Sequence, residues 1–122
     1  MIAQVNGKVV DNMKSYAYLL IAIICEVLGT TALKESDGFS RLGPSIIVGL
    51  AYAASFYLLS LTLKTIPTAV GYAIWSGAGT ALISLISWIY LGQVLDKAAI
   101  IGIFLIVSGV LVINIFSKIG VH

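Results

Sequence analysis

The chain has 122 residues, of which 60% are hydrophobic and 10% charged, with a net charge of +2. Soluble domains carry about 25% charged residues, so this composition excludes a soluble globular protein and describes an integral membrane protein. The small positive balance argues for no nucleic-acid partner, because basic residues beside membrane spans report topology. The single cysteine, Cys25, excludes an intrachain disulfide.

The charges fall in clusters: Lys8, Asp11 and Lys14; Lys34, Glu35, Asp37 and Arg41; Lys64; Asp96 and Lys97; Lys118. Four apolar stretches separate them, about 16–33, 44–63, 66–91 and 98–117. Each meets or approaches the roughly 20 residues that a spanning helix requires. The expectation is an all-α membrane protein, with four transmembrane helices per protomer forming one domain over 13–122. Residues 1–12 are polar and of mixed charge, expected as a disordered extension ahead of Met13, which could itself serve as a start. An apolar run ending at Cys25 also raises a lipoprotein signal. Ile23 and Ile24 are branched where a processing site takes small side chains, and Glu26 follows, so that reading is set aside.

In the first helix, Glu26 is the single charge between Tyr16 and Leu33. An ionisable group at hydrocarbon depth costs roughly 2.5 to over 10 kcal/mol, and its default roles are proton relay, ion pathway or counter-ion. A structural salt bridge is the competing reading. It needs a cation at matching depth, and no Lys or Arg lies inside an apolar stretch. At 100° per residue, Leu19, Ala22, Ile23, Gly29, Thr30 and Leu33 fall within about 60° of Glu26. Small residues there allow a second helix to approach or leave room for a ligand. Tyr16 and Tyr18 stand where aromatic rings anchor a membrane interface.

Gly38 suits a turn after this helix, and Pro44 the first turn of the next. The second helix carries a small-residue stripe, Gly49, Ala53 and Ser60, with Tyr52, Phe56 and Tyr57 as aromatic bulk. In the third, Gly77 and Gly79 lower helical preference at mid-membrane and predict a kink or hinge. Tyr72 and Trp75, three apart, share a face. A tryptophan this deep packs the core or forms a wall for a cation. The fourth helix has Gly102 and Gly109 on one face and few polar groups, which predicts an oligomerisation seam, with packing inside the protomer as the alternative.

Lys14, Lys64 and Lys118 lie on one side of the membrane, joined by Lys8 if the extension counts, and Lys34, Arg41 and Lys97 on the other. So small a difference gives almost no orientation signal. A chain without bias inserts both ways, and opposite copies would pair as an antiparallel, dual-topology homodimer. Two copies of Glu26 in one chamber would titrate as a unit. No nucleophile–base pair, phosphate loop or metal-ligand cluster is legible. The reading is therefore no enzyme, no metal and no cofactor, with His122 as a solvated tail residue.

Several segments together resemble the small multidrug resistance family of bacterial exporters: Glu26 through Lys34, Gly38-Phe39-Ser40-Arg41, Ile66-Pro67-Thr68, Tyr72 through Gly77, and Gly109-Val110. The resemblance covers about residues 13–122. Gly29-Thr30 after the glutamate looks like the quaternary-ammonium multidrug branch; the guanidinium-exporter branch has tryptophan in place of Gly29 and threonine in place of Ser76. Tyr57 departs from the best-known members, which have a tryptophan, so the substrate profile stays open. The resemblance implies an antiparallel homodimer in the inner membrane that exchanges protons for lipophilic, aromatic and quaternary-ammonium cations. It implies Glu26 as the shared proton and substrate site. Trp75, Tyr72, Tyr16, Ser55 and Thr30 are then substrate-binding, Gly77 and Gly79 a hinge, and Gly102 and Gly109 the dimer interface. The alternatives are a guanidinium or polyamine exporter of the same family, or a non-transporting membrane accessory subunit.

Overall fold

The computed structural model describes residues 2–118, and the side chains of these except residues 2–5 and 8. Four helices follow one another: α1 Ile2–Glu35, α2 Leu42–Thr62, α3 Thr68–Ile89 and α4 Lys97–Phe116. All four contain a stretch long and apolar enough to cross a membrane. The expected bounds of α2, α3 and α4 hold to within two residues at each end. That of α1 does not, because residues 2–12 continue the helix where an unstructured extension was expected. No proline interrupts that segment and Gly7 is its one glycine, so nothing local stops the helix growing from a nucleus already formed downstream.

The turns are built by specific residues. After α1, Ser36 is fully buried; its hydroxyl donates to the Leu33 carbonyl at 2.7 Å and accepts from the Phe39 amide at 3.2 Å. Asp37, Gly38 and Phe39 then take three consecutive left-handed conformations, reversing the chain within a few residues. Pro67 stands immediately before α3, where its fixed φ is compatible and its missing N–H costs nothing. Asp96 caps α4 by accepting from the Ala99 amide at 2.8 Å.

In lipid, apolar side chains gain little by leaving one hydrocarbon surface for another, so close packing and interhelical hydrogen bonds hold such bundles together. The α1–α2 pair uses both. Ser55 Oγ donates to the Ala22 carbonyl at 2.7 Å, Thr62 Oγ1 shares its hydrogen between the Leu58 carbonyl of its own helix at 3.0 Å and the Ser15 carbonyl at 3.3 Å, and Thr30 bonds Tyr52. As the α1 partner falls from 30 to 22 to 15, the α2 partner rises from 52 to 55 to 62, so the two helices run antiparallel. Leu19, Ala22, Ile23, Val27 and Leu59 form the core between them, and α3 packs Ile74, Trp75, Ala78, Leu82 and Ile83 against it.

The α1 face predicted around Glu26 is thus a buried one. The stripe Gly49, Ala53 and Ser60 is instead exposed; α2 packs through Val48, Ser55, Leu59 and Thr62. By contrast, no residue of α4 is buried. It reaches α3 at Gly77, where an added Cβ would collide with Val110 and lie 3.6 Å from Ile106.

Candidate functional site

Glu26 sits on the inner side of α1, half-buried. Its two oxygens have different surroundings. Thr30, one turn along the same helix, donates through Oγ1 to Oε1 at 2.6 Å. The same Thr30 oxygen is 2.7 Å from the Tyr52 hydroxyl of α2. Oε2 points toward α3, where it lies 3.3 Å from the position a Cβ on Gly79 would occupy. Among the described residues, Glu26 is in no ion pair with a Lys or Arg; the salt bridge present there joins Arg41 to Glu35 at 3.8 Å.

A cavity of about 180 Å³ opens beside the carboxylate, lined by Glu26, Trp75, Ser76, Gly79, Thr80 and Ile83. The Trp75 ring forms part of an aromatic series that spans two helices. Its centroid is 5.5 Å from Tyr72 and 5.9 Å from Phe56, which in turn lies 6.4 Å from Tyr52, all in tilted pairs. Tilted rings at these distances are mutually favourable and present negative faces to a cation. The buried Trp75 Nε1–H has no acceptor among the described residues.

Several expected site residues are thereby brought together: Glu26 and Trp75 line the cavity, Tyr72 stacks beside Trp75, and Thr30 bonds the carboxylate. Two are not. Ser55 is buried and its hydroxyl is committed to the Ala22 carbonyl, so it clamps α1 to α2 and does not face the cavity. Tyr16 lies ten residues before Glu26, about 15 Å along the helix, and is partly exposed at the protomer surface.

The glycines also read differently from a simple hinge. α3 is helical without interruption from Thr68 to Ile89. Gly77 makes room for Val110 of α4, and Gly79 makes room for the Glu26 carboxylate. Gly102 and Gly109 have open space where a side chain would be.

Sequence reasoning missed Tyr52 and Phe56 as members of this group. A signal was present: Tyr52, Ser55, Leu59 and Thr62 recur at spacings of three, four and three, the pattern of one helix face. Gly29 explains how Tyr52 fits. A Cβ there would stand 2.7 and 2.8 Å from two carbons of its ring. Gly29→Ala should therefore push the ring off the Thr30 hydroxyl and destabilise the fold by about 1–3 kcal/mol, the usual penalty for overpacking. Thermal unfolding in detergent, alone and with Tyr52→Ala, checks this; the second substitution should restore most of the loss.

A carboxylate, a hydroxyl chain and an aromatic wall, held on helices able to span a membrane, are suited to holding either a proton or an organic cation. Comparison with known proteins decides the family: the profile described as Small Multidrug Resistance protein matches residues 14–106. The chain belongs to the small multidrug resistance family. It is 54% identical over 110 residues to the multidrug transporter EmrE of Escherichia coli K12, covering 90% of this chain and all of that protein. It is 50% identical, with the same coverage, to the quaternary ammonium compound-resistance protein QacE of Escherichia coli. The multidrug resistance protein EbrA of Bacillus licheniformis is 46% identical over 100 residues, 82% of this chain and 95% of the relative. The chain is accordingly a multi-pass membrane protein of a family of small transporters.

Proposed function

We propose that two copies of this chain, inserted in opposite orientations in a bacterial inner membrane, exchange protons for hydrophobic, aromatic and quaternary-ammonium cations, with Glu26 binding either. The observation that carries this reading is the Glu26 carboxylate itself. It borders a cavity walled by Trp75, and no basic residue among those described neutralises it. A lipophilic cation then supplies the missing positive charge, and the rings of Trp75 and Tyr72 accept many shapes because cation–π attraction is weakly directional. Protonation of Glu26 removes the charge that holds the cation. Two protons exchanged for one monovalent cation would carry one net charge inward, worth about 2.3 kcal/mol per 100 mV. Bending of α3 at Gly77–Gly79 would alternate access.

Size supports a dimer. A drug-sized ligand occupies a site of roughly 300–1,000 Å³, whereas the cavity beside Glu26 in one protomer measures about 180 Å³, so a chamber shared by two copies fits better. The exposed α4, with open space at Gly102 and Gly109, is a surface another copy could cover. The near-even distribution of Lys and Arg supports insertion in both orientations. Gly29 supports the quaternary-ammonium branch over the guanidinium branch, because the space a tryptophan would need there is filled by Tyr52.

Purified protein titrated with tetraphenylphosphonium tests this directly. Protons should be released on binding, and apparent affinity should fall as pH is lowered. Vesicles containing this protein alone should export tetraphenylphosphonium in preference to guanidinium; if they move neither, the chain is an accessory subunit. A separate expectation concerns the wall. Trp75→Ala should weaken binding of aromatic cations by roughly 1–2 kcal/mol while leaving assembly intact by size-exclusion chromatography. Equal loss of binding and assembly would mean that the ring serves packing alone.

A further inference from the structure

From the unequal surroundings of the two Glu26 oxygens, and resting on the exchange reading above, we infer that protons reach Glu26 by a route of their own, through Tyr52 and Thr30, on the side of the carboxylate away from the cation cavity. The hydroxyls form an ordered chain. Thr30 Oγ1 gives its hydrogen to Glu26 Oε1 at 2.6 Å, so in the 2.7 Å contact with Tyr52 the Thr30 oxygen must accept and the tyrosine must donate. Both bonds lie within the usual range for hydroxyl donors. The chain Tyr52 O–H to Thr30 O–H to Glu26 Oε1 therefore points at the carboxylate from end to end. Neither Tyr52 nor Thr30 lines the cavity, which meets Glu26 from the α3 side. Tyr52 is itself half-buried.

The step balances. A hydronium ion or water at the outer end gives a proton to the Tyr52 oxygen, the tyrosine's own proton passes to Thr30 Oγ1, and the threonine's passes to Glu26 Oε1. Each hydroxyl oxygen forms one O–H bond and loses one; Glu26 gains one proton and the donor outside loses one. Reversal runs back along the same bonds, because each hydroxyl hydrogen then points outward; both hydroxyls must rotate before a second proton can follow inward. The other titratable side chains near the group are Cys25 beside Glu26 on α1 and Tyr72 on α3, the latter stacked on Trp75; no charged residue of α2 or α3 faces it, since neither helix contains one. Tyr52 and Thr30 act here as positioning and relay residues, and Gly29 is the residue that lets the tyrosine ring approach.

The test is the rate of proton uptake when tetraphenylphosphonium is displaced from the full-length protein, followed with a pH-indicator dye, alongside equilibrium affinity for the same cation. Tyr52→Phe and Thr30→Val should each slow uptake by about a hundred-fold or more, the lower range for losing a positioned proton-transfer group, a loss that exceeds any accompanying change in affinity. Thr30→Ser, which keeps the hydroxyl, should retain the wild-type rate. Unchanged rates in both hydroxyl-deleted variants would overturn the relay, as would rate and affinity falling together, which would assign the hydroxyls to the cation site. If wild-type protein binds tetraphenylphosphonium with no proton exchanged, the relay and the exchange reading both fail.

Discussion

Glu26→Gln should yield a protein that still assembles but no longer releases protons on binding tetraphenylphosphonium, and that confers no resistance to it in cells. Glutamine has nearly the same shape, and its side-chain carbonyl can accept the Thr30 hydroxyl as Oε1 does. The α1–α2 clamps at Ser55 and Thr62 are untouched, so folding should survive. The loss is the charge. Removing one member of a desolvated ion pair typically costs 3–5 kcal/mol, which corresponds to at least about two orders of magnitude in affinity. Residual binding to the aromatic wall should no longer depend on pH. Coupled transport retained by this variant would remove Glu26 from the mechanism.

The second large effect is expected at Gly77. Here α4 touches α3 through Val110 and Ile106, and a methyl group on Gly77 would occupy the space of the Val110 side chain. Valine is confined to one main χ1 rotamer in a helix, so it cannot swing aside; the helices must part. Gly77→Ala should cost about 1–3 kcal/mol and release α4 first, seen as faster amide exchange over 97–116 and loss of the assembled form on gels. Val110→Ala in the same chain should recover most of the stability, because two residues in contact are coupled. A fully stable single variant would show that this contact does not hold α4.

The four helices were legible because lipid imposes an unbroken apolar run on each, so charge clusters mark their ends. The buried face of α1 was legible for a related reason: one carboxylate in hydrocarbon stands out, and helical periodicity names its neighbours. Periodicity places residues on a face without saying what lies opposite. Ser55 illustrates the limit, since a hydroxyl near mid-membrane reads equally as a ligand donor or a clamp, and the Ala22 carbonyl that decides between them is 33 residues away. Tyr52 was overlooked for the converse reason, as its value comes from Gly29 opposite. Gly77 and Gly79 read as a hinge because weak helical preference is their intrinsic tendency; in the fold, each absent side chain is also the space another group occupies. The helical start of α1 went unread because polar composition was allowed to outweigh the absence of any breaker.

The division of one carboxylate between two helices bears on how such a chain diversifies. Residues that shape the cavity, Trp75, Ser76 and Thr80, all belong to α3, while the hydroxyl that contacts Oε1 belongs to α1 and is braced by α2. Under the exchange proposed above, substitutions that reshape the cavity can accumulate on α3 while the hydroxyl contact to Oε1, carried by its neighbours, stays in place.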